Sequence, residues 1–103
     1  MTPELPIEFT VAAARQIQVA ASWWIENRAS APRAFGDDLK QGLALIRLQP
    51  LCGAPATSES LAGVRRIYLP RIRYRLYYRV ADAPRRLEVL AFWHASRGGD
   101  PHV

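Results

Sequence analysis

The stretch "RIRYRLYYRV", residues 71–80, decides how this chain folds. From Arg73 onward it alternates: Arg73, Arg75, Tyr77 and Arg79 share one parity, and Tyr74, Leu76, Tyr78 and Val80 share the other. Alternation with period two is the signature of a strand whose two faces meet different surroundings. One face belongs to a core; the other presents arginine.

Two further stretches read as strands beside it, "VRRIYL" (64–69) and "RLEVLAFWH" (86–94). "PRI" turns the first into the central strand, and "ADAPR" turns that strand into the last. From Val89 to Trp93 the last strand is apolar on both parities, as expected of a strand inside a sheet. Upstream, "IEFTVA" alternates Ile7, Phe9 and Val11 against Glu8 and Thr10, predicting a short strand that leads into a helix. From Val11 to Asn27 the apolar spacing changes to three and four: Ala14, Ile17, Ala21 and Trp24 make a stripe, widened by Ala20 and Ile25. "NRASAPR" breaks it, with Ser30 or Ala31 as N-cap and Pro32 in the first turn of a second helix. That helix carries Phe35, Leu39, Leu43 and Ile46 on one face, broadened by Gly42 and Leu45, and stops at Pro50. Trp23 and Trp24 read as core residues. Residues 51–63 read as a loop, with Cys52 a semi-buried filler. The expected fold is α+β, one domain over residues 1–103: a short N-terminal strand and a helical hairpin packed on one face of an antiparallel sheet, in the order β-α-α-β-β-β.

Side-chain chemistry also sets a register. Pairing residues 73–80 with 87–94 so that positions sum to 167 puts Tyr74 opposite Trp93, Leu76 opposite Ala91, Tyr78 opposite Val89 and Val80 opposite Leu87. The helices can cover all four pairs. A slip of one residue would carry Glu88 and His94 into the core, which burial penalises. The same logic turns Ile67 and Leu69 inward. The helix-free face then gathers Arg66, Tyr68, Arg73, Arg75, Tyr77 and His94, with Arg97 leaning over it from the strand's exit. Arg79 faces Glu88 and has a local explanation.

Composition agrees with a binding surface. The 103 residues carry a net charge of +5, but residues 1–63 carry five basic and six acidic side chains while residues 64–103 carry nine arginines against three acids. Thirteen of the fourteen basic residues are arginine, the residue suited to planar, multidentate contact with phosphate or carboxylate. No apolar run approaches the roughly 20 residues that cross a bilayer, so no membrane partner is expected. The N-terminus lacks the pattern of a secretory signal. Cys52 is the only cysteine, which excludes an intramolecular disulfide and suits a reducing cytoplasm. Two histidines near the C-terminus are poor material for a metal site, and no cofactor is expected.

The order of elements, with Tyr74-Arg75-Leu76, Tyr78 and the closing Trp93-His94-x-x-Arg97, resembles the RelE/ParE superfamily of bacterial type II toxins. That resemblance implies a small basic toxin held inactive by an acidic antitoxin in a hetero-oligomer. RelE-like members enter the ribosome and cut messenger RNA without metal. By position, Arg75 and Arg97 match the arginines that hold the scissile phosphate, Arg66 stands where a lysine is usual, and Tyr68 stands where a second lysine is usual. The catalytic tyrosine expected shortly after Arg97 is absent. Arginine is a poor proton acceptor, so only His94 or His102 could act as base in a nuclease. ParE-like members share the short C-terminus and the H-x-x-R ending and poison DNA gyrase instead. The resemblance is nearer to these, which makes Tyr68, Arg73, Arg75, Tyr77 and Arg97 candidates for contacting target or antitoxin. A third possibility, of another class, is a non-toxic binding module that keeps the fold.

Overall fold

The computed structural model describes residues 4–56, 62–97 and 101. Its elements are β1 (Ile7–Phe9), α1 (Val11–Asn27), α2 (Ala34–Leu48), β2 (Ala54–Pro55), β3 (Arg65–Leu69), β4 (Tyr74–Ala81) and β5 (Arg86–His94). They build one five-stranded sheet in the order β1-β5-β4-β3-β2, the α+β arrangement expected from the sequence. The sheet is mixed rather than purely antiparallel, because β1 runs parallel to β5. The stretch read as a loop also contributes a strand: β2 pairs with β3 through Ala54 and Pro55.

Each helix is fixed by a few specific contacts. Thr10 caps α1, its hydroxyl accepting from the Ala13 N–H. The α1 stripe that reaches the core is Ala13, Ile17, Ala20 and Trp24, whereas Ala14 and Ile25 are exposed. Trp24 also donates its indole N–H to the Ala31 carbonyl at 2.8 Å, tying the interhelical turn to α1. The second helix starts at Ala34, later than a cap at Ser30 or Ala31 implies. Its Gly42 lies hard against β3: a Cβ there would come within 2.5 Å of a Leu69 methyl carbon. Asp38, only 5% exposed, uses one carboxylate oxygen to accept from the Arg71 and Ile72 N–H groups at 2.9 and 3.3 Å. A side chain of α2 thus holds the β3–β4 turn in place. Trp23 departs from its expected core position and is 45% exposed, and Cys52 is exposed rather than semi-buried.

The β4–β5 register holds over half its length and changes over the other half. Tyr78 faces Val89, Arg79 faces Glu88 and Val80 faces Leu87, as the side-chain pairing requires. Beyond them the ladder shifts by one: Tyr77 faces Ala91, Arg75 faces Trp93 and Tyr74 faces His94. Leu90 is the extra residue, a β-bulge on β5. The bulge resolves the conflict that a uniform register cannot. Glu88 stays with Arg79, while Phe92 replaces Trp93 on the helix-covered face. There Phe92 stacks on Tyr74 at 4.6 Å and meets Phe35 edge-on at 5.8 Å. Two contacts from the N-terminal half hold the irregular stretch: Thr10 donates its hydroxyl to the Leu90 carbonyl, and Gln16 accepts from the Phe92 N–H at 2.8 Å.

Candidate functional site

Residues directly opposite each other on neighbouring strands share a face. The β3–β4 ladder pairs Tyr68 with Arg75, and the β4–β5 ladder pairs Arg75 with Trp93. Arg97, just past β5, lays its guanidinium over the Trp93 ring at 4.0 Å. Tyr68, Arg75 and Trp93 therefore form one row across the face away from the helices, and Arg97 extends it at the β5 edge, where its side chain also reaches the α1 side. Arg66 lies next to this row and lines a 400 Å³ hollow together with Tyr68 and Arg75. Tyr68 is 52% exposed, and Arg75 is half-buried on its strand.

Three candidates leave this platform. Arg73 sits in the turn before β4 at φ +64°, where its N–H donates to the Leu69 carbonyl. A left-handed residue closing a turn carries its side chain off the strand's alternation, so Arg73 does not stand beside Arg75. Tyr77 points to the expected face but is 0% exposed, enclosed with Val64, Leu90 and Ala91 in a second apolar cluster against which Trp93 packs. It supports the platform from within and offers no surface to a partner. His94 is displaced by the bulge to the helix side, where its ring meets Tyr74 edge-on at 5.1 Å. It is therefore remote in direction from Arg66 and Arg75, and a base for that hollow is not found in it. His102 lies outside the described residues.

Four of the other arginines are explained locally. Arg79 pairs with Glu88 at 2.8 Å, Arg86 with Glu8 at 3.1 Å and Arg47 with Glu4 at 3.5 Å. Arg65 spends its guanidinium on the Leu51 and Gly53 carbonyls. This tether works beside Tyr78, whose buried hydroxyl donates to the Pro50 carbonyl at 2.8 Å and accepts from the Gly53 N–H at 3.0 Å. Burial pushes the Tyr78 phenol above its ordinary value, by more than the Gly53 bond lowers it. Burial raises the Tyr74 phenol in the same direction. Arg75 and Arg97, by contrast, have no carboxylate partner among the described residues.

Behind the outer edge of β5 lies a groove of about 570 Å³. Val19, Ala20, Trp23 and Phe92 form its apolar floor, and Arg15, His94 and Arg97 its polar rim. The groove exists because β1 covers only Leu87–Val89, leaving the rest of that edge to α1. Arg15 and Trp93 are residues that the sequence reading missed. Trp93 lies in a run apolar on both parities, which carries no signal of facing. Arg15 lies on a helix read only for its apolar stripe.

A mixed sheet covered by a helical hairpin, with a basic, aromatic-edged open face, defines a fold class that the comparisons identify. The description "ParE toxin of type II toxin-antitoxin system, parDE" matches residues 7–98, and the chain belongs to that family. No curated protein matches it by sequence. Among solved structures, it resembles a chain of the chromosomal ParDE toxin–antitoxin system from P. aeruginosa, at 19% identity and TM-score 0.70, covering 90% of this chain and 98% of that one. The RelBE2 toxin–antitoxin complex of Mycobacterium tuberculosis gives 24% identity and TM-score 0.65 over 88% and 98% of the two chains. A YoeB/ParE toxin from Agrobacterium tumefaciens gives 17% identity and TM-score 0.55 over 87% and 98%. These likenesses extend to the fold.

Proposed function

We propose that this toxin acts in the cytoplasm by binding DNA gyrase through the row Tyr68–Arg75–Trp93–Arg97, and that an acidic antitoxin neutralises it. The observation that carries the reading is the row itself. Arginine, tryptophan and tyrosine are the side chains that most often anchor protein interfaces. Here they stand in register on a rigid sheet, with the Arg97 guanidinium already ordered against an indole. A permanently charged guanidinium clamps a partner but does not accept a proton at neutral pH. The platform is thus better equipped to hold than to cleave.

The hollow shared by Arg66, Tyr68 and Arg75 favours a second reading, a ribosome-dependent mRNA endoribonuclease, since two guanidinium groups at one hollow suit a phosphate. One experiment separates the readings. Purified protein should stop supercoiling by gyrase or trap cleaved plasmid, while a translating extract keeps its messages intact. Undiminished supercoiling at saturating toxin, with codon-phased cuts in the translated message, would reverse the assignment. Growth unaffected by expression without a partner would instead indicate a module that binds but does not poison.

A further inference from the structure

We propose that His94 is a positioning residue for Arg97: its neutral imidazole clasps the turn after β5, and the clasp seats the Arg97 guanidinium on Trp93. Three consecutive N–H groups leave the strand there, and each has its own acceptor. Ala95 donates to the Arg73 carbonyl at 2.8 Å, Ser96 to the His94 Nδ1 at 3.1 Å, and Arg97 to the His94 carbonyl at 3.0 Å. The Ser96 hydroxyl also lies 2.7 Å from Nδ1. Two of the three acceptors thus belong to His94, and only Nδ1 can gain or lose a proton. A backbone N–H can only donate, so Nδ1 carries the lone pair and the neutral ring holds its proton on Nε2.

The arrangement copies an Asx turn, in which a side-chain acceptor takes the N–H of the second residue after it. Nδ1 of histidine and Oδ1 of asparagine stand the same number of bonds from Cα, so the imidazole makes a titratable version of that turn. Tyr74 holds the ring from below, edge-on at 5.1 Å. Arg97 is exposed at the end of the turn, and its guanidinium reaches back to the Trp93 ring at 4.0 Å. A long side chain has many rotamers to lose, and it keeps such a seat only while its root is fixed. Acid turns Nδ1 from acceptor to donor and sets an N–H against the Ser96 N–H. The titratable and charged groups around His94 are Arg15 of α1, Arg73 and Tyr74 at the start of β4, and Arg97 itself; among the described residues no carboxylate lines the groove. The clasp therefore closes with a neutral ring and opens when the ring is charged.

The seating of Arg97 can be read without any target, from the ring-current shift that the indole imposes on its side-chain proton resonances; only its effect on inhibition rests on the gyrase reading. In the full chain that shift should be present at about pH 7.5 and fade as the solution is taken to about pH 5.5. His94→Phe keeps a ring against Tyr74 but offers no acceptor. It should lose the shift at both pH values and weaken inhibition roughly fivefold or more. His94→Asn puts Oδ1 in the place of Nδ1 and should restore both, without the decline in acid. His94→Gln, whose amide reaches the place of Nε2 instead, should restore neither. Circular dichroism melts confirm that the variants are folded, and the acid series on the unaltered chain decides the point even if one is not. A shift that persists in acid or in His94→Phe would overturn the assignment. Rescue by Gln and not by Asn would overturn it as well, because His94 would then act through Nε2. If the shift follows the expected order while gyrase supercoils freely beside the wild-type protein, the positioning of Arg97 stands and the gyrase reading falls.

Discussion

The Arg97 guanidinium carbon lies 4.0 Å from the centre of the Trp93 ring, and that contact joins the end of the chain's last strand to its charged face. Stacking orders a long, otherwise mobile side chain before any partner arrives, so less entropy is lost on binding. On the gyrase reading proposed above, Trp93→Ala should weaken inhibition at least tenfold, equivalent to about 1.4 kcal/mol, with Trp93→Phe intermediate. Inhibition titrations check this, alongside melting curves to confirm folding. Arg97→Lys should also lose potency, because an ammonium cannot stack as a plane.

Arg73 and Arg75 should respond in opposite ways. At φ +64° a glycine is less strained than arginine, so Arg73→Gly should leave inhibition intact and raise stability by about 0.5–1 kcal/mol. Arg75→Ala should reduce inhibition while changing stability little. Denaturant unfolding and the gyrase assay, run on both variants, read the two effects separately.

Asp38 holds the turn that places Arg73 off the strand. Asp38→Ala leaves the Arg71 and Ile72 N–H groups without their acceptor and should cost about 1–3 kcal/mol. Asp38→Asn keeps an acceptor oxygen and should recover most of that loss. Urea midpoints at constant slope distinguish the two.

The Tyr78 phenol makes alkaline stability a test of the β2 anchor. Its folded value is raised above the ordinary 10.0, so the folded state holds the proton more tightly than the unfolded chain. The corresponding stability is complete below about pH 10 and is lost as pH rises through the higher folded value. Tyr78→Phe should flatten that alkaline decline, with Tyr74 contributing the remainder. The same variant strands the Gly53 N–H and should cost about 1–3 kcal/mol at neutral pH. Melting temperatures between pH 8 and about 11 test both statements.

Gly53→Ala attacks the same anchor from the other side. An added Cβ would meet the Tyr78 hydroxyl at 2.6 Å and the Arg66 carbonyl at 3.0 Å. Overpacking of this kind costs about 1–3 kcal/mol, and disturbing the Arg66 backbone should also lower inhibition. A variant as stable as the wild type would contradict this close packing.

Much of this architecture was legible in the alternation of residues 73–80, because period-two patterning on one strand fixes which face is buried. That pattern located β4 within a residue and turned Arg75 outward. It misplaced Arg73, since a left-handed turn residue leaves no mark when arginine fills it. On β5, apolar residues on both parities hide facing, so the bulge at Leu90 and the exchange of Trp93 for Phe92 could not be read. The bulge is held by Thr10 and Gln16, some eighty residues away in the chain, and contacts at that range have no local signature. His94 moved with the bulge. Its partnership with Ser96 spans only two residues, yet its direction depends on the shifted strand.

Both outer strands of the sheet are short: β1 has three residues and β2 has two, one of them Pro55. Proline offers no N–H for a further ladder, and α1 stands over the remainder of the β5 edge with Gln16 bonded to it. At the β1 side the sheet thus gives a second copy little backbone on which to extend. Among the described residues, the edge left open is the part of β3 beyond β2, Ile67–Leu69, and any added strand would have to start there.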